Sequence, residues 1–128
     1  MNLEIENSFV EKYIKKEYQE RLKHELMKKR EKALSRFSHN AFELLKKNLT
    51  IVQVKDENSI LTFEAKSSIH EECYLISRFY DGMVMKFNVA LKELFEDLCT
   101  SILVSNDFTI IKEETEKGQP NIYLIKAN

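Results

Sequence analysis

The chain reads as an α/β protein, with N-terminal helices followed by a small mixed sheet that has at least one parallel strand–helix–strand unit and a C-terminal β-hairpin. Three observations predict this. Apolar residues recur at helical spacing up to Leu45 and then gather into short, nearly continuous runs from Leu49 onward. A clear amphipathic helix lies between two of those runs, the natural setting of a right-handed crossover. A connector carrying Gly118 and Pro120 separates the last two runs. At 128 residues the chain has room for a single domain, residues 1–128, helical over 1–48 and α/β over 49–128.

The first helix is expected from residue 9 to about residue 27. Ser8 with Glu11 fits a capping box, and Val10, Ile14, Tyr18, Leu22 and Leu26 follow at four-residue spacing, widened by Phe9 and Tyr13. Lys28, Lys29, Arg30, Glu31 and Lys32 interrupt the stripe, so a bend or break is expected near residue 28. Apolar positions resume at Ala33, Leu34 and Phe37, and Asn40 with Glu43 reads as a second capping box. Asn48 is placed to end that helix in a left-handed conformation. The runs Leu49–Val54, Cys73–Ser77 and Ser101–Ser105 are short and apolar on both parities, as in strands buried on both faces. Between the last two, Asn88 caps a helix whose core face is Leu91, Leu94, Phe95 and Leu98. Residues 58–69 fit either period; the eighteen residues between Val54 and Cys73 favour a crossover helix. Phe108–Glu113 and Asn121–Lys126 form the closing hairpin, with Glu114–Pro120 as its loop.

Charge divides the chain more sharply than composition does. Residues 1–48 carry 12 basic and 8 acidic side chains, whereas residues 49–128 carry 8 basic and 13 acidic, so a net charge of -1 hides two opposed halves. A uniformly basic nucleic-acid coat is thereby excluded. Gly82 and Gly118 are the only glycines, so neither a Walker loop nor a G-x-G-x-x-G turn can be built. The opening MNLEIENSFVEKYIKK has no apolar signal core, and no apolar run approaches the roughly 18 residues that span a bilayer, so the expected compartment is the cytoplasm. Cys73 and Cys99 are expected to be reduced thiols.

The run FVEKYIKKEYQERLKHELMKKREKALSRFSHN resembles the opening of small bacterial proteins encoded near polymorphic toxins, some of them presumed immunity proteins. The segment DGMVMKFNVALKELFEDL, followed by a strand and a hairpin, is similar to the same group. Together they cover about half of the chain. The resemblance implies a toxin as protein partner and assigns no site residue, because neither segment holds a motif tied to chemistry.

Four constellations merit weighing. His70 with Cys73 is the sole close pair of soft-metal ligands, but a structural zinc needs four and a Cys/His nucleophile needs an orienting third group. No metal or cofactor is therefore expected. In a parallel sheet, ligands gather beyond the carboxyl ends of the strands, where Arg78, Tyr80 and Asp81 follow one run and Asn106 and Asp107 the next. Asp81 and Asp107 would hold Mg²⁺ for phosphotransfer or nuclease chemistry, although tight turns use the same residue types. The basic stretch Lys12–Arg36, with Lys28, Lys29 and Arg30 at its centre, offers phosphate contacts, or merely a solvated face paired as Glu17–Arg21 and Glu25–Lys29. The acidic second half, centred on Glu93, Glu96 and Asp97, suits a cationic protein partner such as a nuclease toxin. The preferred expectation is a non-catalytic protein-binding module, an immunity protein covering a toxin's active site. Nucleic-acid binding is the alternative, and a metal-dependent enzyme the third reading.

Overall fold

The structure, a computed structural model, describes residues 2–56, 71–78, 80–96, 101–114 and 120–127. The expected helix over residues 58–69 lies outside them, as do His70, Asp97, Leu98 and Cys99. Among the described residues the order is α1 (Leu3–Tyr13), α2 (Lys16–Lys28), α3 (Arg30–Leu44), β1 (Leu49–Val54), β2 (Glu72–Ser77), β3 (Val84–Lys86), α4 (Phe87–Glu96), β4 (Ser101–Val104), β5 (Thr109–Glu113) and β6 (Asn121–Ala127).

The single expected helix over 9–27 is two helices. Asn2 rather than Ser8 caps the first, its side chain accepting from the Ile5 N–H at 3.2 Å. The break falls at Ile14 and Lys15, and tertiary hydrogen bonds explain it. Lys15 N–H donates to the Leu44 carbonyl and Lys46 N–H to the Tyr13 carbonyl, so the α1–α2 junction pairs with the end of α3. Ile14 is fully buried there, so the apolar stripe runs through the break unchanged and conceals it. The expected break near residue 28 is present at Lys29. Asn40 takes non-helical angles (φ -134°, ψ 29°), a kink at which two helices meet within α3, where a second helix start is expected. That helix ends at an extended Leu45, not at a left-handed Asn48.

The six strands form one sheet in the order β1-β6-β5-β4-β2-β3, and every neighbouring pair is antiparallel. This overturns the expected parallel strand–helix–strand unit. Strands β2 and β4 are adjacent but opposed, with Tyr74 facing Val104 and Ser77 facing Ser101. The unforeseen strand is β3, only three residues long. It reverses the chain before α4, so the helix joins β3 to β4, which run the same way with β2 between them. The C-terminal hairpin is present, with Glu113 opposite Asn121.

Burial on both faces holds for β2, β4 and β5, where helices cover both sides of the sheet, but not for the edge strand β1, which leaves Thr50, Val52 and Gln53 exposed. Helices α1–α3 pack with Tyr74, Ile76, Ile102, Ile111 and Ile125, while α4 packs with Cys73, Leu75, Leu103, Ile110 and Leu124. Continuous apolar runs therefore record two covered faces, which parallel sheets share with this antiparallel one. On α4, Leu91 and Leu94 are buried as expected, and Phe95 is half-buried beside them.

Candidate functional site

A cluster of charged side chains joins the helical layer to the β2–β3 hairpin. Glu6 projects from the same stripe of α1 as Phe9, Val10 and Tyr13 and is 1% exposed. Arg30, the first residue of α3, clasps it with two parallel bonds, Nη1 to Oε1 at 2.8 Å and Nη2 to Oε2 at 2.6 Å. The same guanidinium reaches Asp81 through Nε to Oδ2 and Nη2 to Oδ1, and donates to the Leu26 carbonyl. The Tyr74 hydroxyl donates to Glu6 and accepts from the Asn2 N–H at 2.9 Å. The Glu6 carboxylate holds Arg30 well above its ordinary range; burial opposes this and Asp81 adds to it. Burial, followed by the Glu6 hydrogen bond, likewise raises the Tyr74 phenol.

Asp81 also accepts from the Ser77 N–H at 3.1 Å, closing the turn in which Tyr80 adopts φ 60°. A left-handed tyrosine costs about 1–2 kcal/mol, so the turn is held by its surroundings: Gly82 at φ 74°, the Ser77–Asp81 bond and the Arg30 clasp. The cluster fixes the position of the hairpin.

This geometry reassigns several residues singled out from the sequence. Arg30 belongs to an internal clasp, while Lys28 and Lys29 stay exposed. Asp81 is engaged through both oxygens. It does not approach Asp107, because antiparallel pairing sends the turns after β2 and β4 to opposite ends of the pair. The two-carboxylate metal site depended on parallel strands and is not formed, and among the described residues no three His, Cys, Asp or Glu side chains are grouped to hold a metal. Arg78, Tyr80, Asn106 and Asp107 are exposed. Cys73 is buried, and burial, aided by the Glu72 charge, pushes its thiol up to about 12, so it is an inert thiol at ordinary pH. Glu25 does not pair with Lys29 but lies 3% exposed against Arg36 Nε at 2.6 Å. On α4, Glu93 is half-buried and Glu96 exposed.

Sequence reading missed Glu6 and assigned Glu25 to Lys29 on a solvated face, although a signal for both was present. Glu6 lies three and four residues before Phe9 and Val10, and Glu25 lies between Leu22 and Leu26, so each carboxylate sits on its helix's buried stripe. An acid in that position requires a basic partner from elsewhere in the fold.

Beside α1 runs a groove of about 730 Å³. Its floor includes Phe9, Tyr13, Tyr74 and Val104; Glu4, Ser8 and Lys12 line it from α1, and Glu71, Glu72 and Val84 from the sheet edge. Lys12 is anchored, donating to the Asn106 carbonyl at 3.2 Å with its ammonium 5.5 Å from the Tyr13 ring centre. Among the described residues no helix is long and apolar enough to cross a membrane. No family model, curated protein or solved structure matches the chain.

Proposed function

We propose that the protein is a non-catalytic protein-binding module that acts in the cytoplasm as an immunity protein, neutralising a cognate toxin by covering its active site. The supporting observation is how the two halves use charge. Four of the ten cations between Lys12 and Arg36 are tied into the fold, Arg30 at the centre of the run among them: Lys12 to a carbonyl, Lys23 to Glu11, Arg30 to Glu6 and Asp81, and Arg36 to Glu25. The second half instead presents Glu71, Glu72, Glu93 and Glu96 without an ion pair among the described residues. Unpaired carboxylates on one half of a small domain attract a cationic partner from a distance and accelerate its docking. Loss of Arg30 to the clasp weakens the nucleic-acid alternative, which retains Lys28 and Lys29.

The test is co-expression with the product of the neighbouring gene, followed by binding kinetics at two salt concentrations. A Glu93/Glu96/Asp97→Ala variant folds normally, because the core face of α4 is untouched, and associates more slowly than wild type at low salt. Wild type that neither binds nor protects overturns the reading. Tight nucleic-acid binding at physiological salt, abolished by reversing Lys28 and Lys29, replaces it with the alternative.

A further inference from the structure

We infer that the groove beside α1 is the docking surface for a partner segment carrying lysine or arginine next to an aliphatic side chain. The inference rests on the protein-binding reading and adds where the partner sits and what it presents. Two independent features of the groove lead to it.

The first is apolar. Phe9, Tyr13 and Tyr74, all buried, form a floor too large to be a gap between two side chains. At its rim Val84, which lines the groove, is 52% exposed. An apolar side chain left in water beside a concavity marks a place where another molecule removes it from water.

The second is electrostatic, and it selects the occupant. Glu4, Glu71 and Glu72 line the groove with carboxylates that make no ion pair among the described residues. Lys12, which also lines it, is held by the Asn106 carbonyl. Lys86, opposite Glu72 in the β2–β3 ladder, makes no ion pair among the described residues. Three carboxylates against two ammonium groups leave an acidic excess over an apolar floor. A bound aliphatic chain covers Val84 and the ring floor while its neighbouring cation meets the carboxylates. An acidic or purely aliphatic segment satisfies only half of these groups. Steering belongs to the whole acidic half of the protein, whereas the groove governs how long the partner stays.

The probe is a short peptide alternating lysine with leucine, beside a twin with glutamate in place of lysine, titrated into ¹⁵N-labelled full-length protein. Amide shifts are expected for the lysine peptide at residues 4–12, 71–74, 84 and 104–106, and none there for the glutamate twin. Glu4/Glu71/Glu72→Gln, whose sites are exposed and whose fold is checked by its melting curve, is expected to weaken the lysine peptide about fivefold or more. At about 1 M salt, where charges are screened beyond roughly 3 Å, wild type falls towards the variant. Val84→Ser weakens the same peptide without removing charge. Equal shifts with both peptides, shifts confined to α4, no shifts at all, or an unaffected glutamine variant each overturn the groove. Toxin protection that survives the glutamine variant also overturns the groove while leaving the immunity reading intact. Groove binding in a protein that protects against no toxin does the reverse.

Discussion

The two faces of the sheet are covered by different chemistry. Beneath α4 the buried side chains are overwhelmingly apolar: Phe87, Leu91 and Leu94 rest on Leu75, Leu103, Phe108, Ile110 and Leu124. Lys112 crosses this layer to donate to the Leu94 carbonyl, in the last turn of the helix where a cation complements the helix dipole. Beneath α1–α3 an apolar core of similar kind is laced with charge: Glu6, Arg30 and Asp81 in one clasp, Glu25 and Arg36 in another. The difference follows from how the helices are tethered. Helix α4 emerges directly from β3, so chain connectivity helps to orient it and area burial suffices. Helices α1, α2 and α3 meet at one- or two-residue junctions and must also be oriented against one another. Directional hydrogen bonds between charged groups accomplish that, and apolar contact by itself is non-directional.

The comparison is tested hardest on the apolar face. Phe108 is 1% exposed and meets Phe87 edge-on, with ring centres 5.4 Å apart. Phe108→Ala should destabilise by about 3–5 kcal/mol, as for other buried aromatics. Phe95, seen from the sequence as an equal member of this core, is half-buried and should cost less than about 3 kcal/mol when truncated, since less apolar area is lost. Urea denaturation of both variants checks the order. Equal losses would mean that α4 turns Phe95 as deeply into the core as Phe108.

On the charged face the expected loss is somewhat smaller but has a distinctive signature. Arg30→Met leaves Glu6 buried with, among the described residues, only the Tyr74 hydroxyl as a side-chain partner and should cost about 3 kcal/mol, near the lower end for breaking a buried pair. Adding Glu6→Gln removes the stranded charge and should recover part of the loss. A double-mutant cycle in urea measures the coupling, and additive losses would show that the clasp does not orient the helices. The single variant should also broaden the amide signals of residues 80–83, because Asp81 loses its anchor while Tyr80 keeps its left-handed turn.

How far the fold could be read from the chain depends on which forces are local. Strand β1 lies where its apolar run lies, Leu49–Val54, and β2, β4, β5 and β6 differ by a residue or so at an end; in β2, β4 and β5 burial on both faces writes itself into consecutive residues. Strand direction does not. It turned on β3, whose Val84, Met85 and Lys86 are a third polar and too short to show any period. The break at Ile14 was hidden for a related reason, since its cause is a pairing with residues thirty positions away. The site followed the same rule. Arg30 and Asp81 were both visible as noteworthy, in separate roles. Their union needed Glu6, which lies ahead of the helix expected from residue 9, and a hairpin whose direction the sequence did not reveal.

The smallest expected effect sharpens the contrast from within the charged face. Tyr13 is 1% exposed and Thr109 fully buried, and neither hydroxyl meets hydrogen-bonding geometry although the two side chains lie close. Among the described residues Tyr13 is therefore a polar group without the partner that Glu6 and Glu25 possess. Removing an unsatisfied hydroxyl while keeping the ring costs almost no packing, so Tyr13→Phe should change stability by less than about 1 kcal/mol at pH 7, in the stabilising direction or not at all. Alkaline solution adds a second reading of the same variant. Burial raises the Tyr13 phenol above its ordinary value of 10.0, so the unfolded chain ionises first and the folded form loses stability as the pH climbs past that value. Tyr13→Phe removes that contribution, and its advantage over wild type should widen between pH 9 and pH 11 in thermal melts. A loss of 1–3 kcal/mol at pH 7, coupled in a double cycle to Thr109→Val, would instead show the two hydroxyls bonded to each other. The charged face would then hold a third internal polar tie beside its two clasps, which would widen its difference from the α4 face.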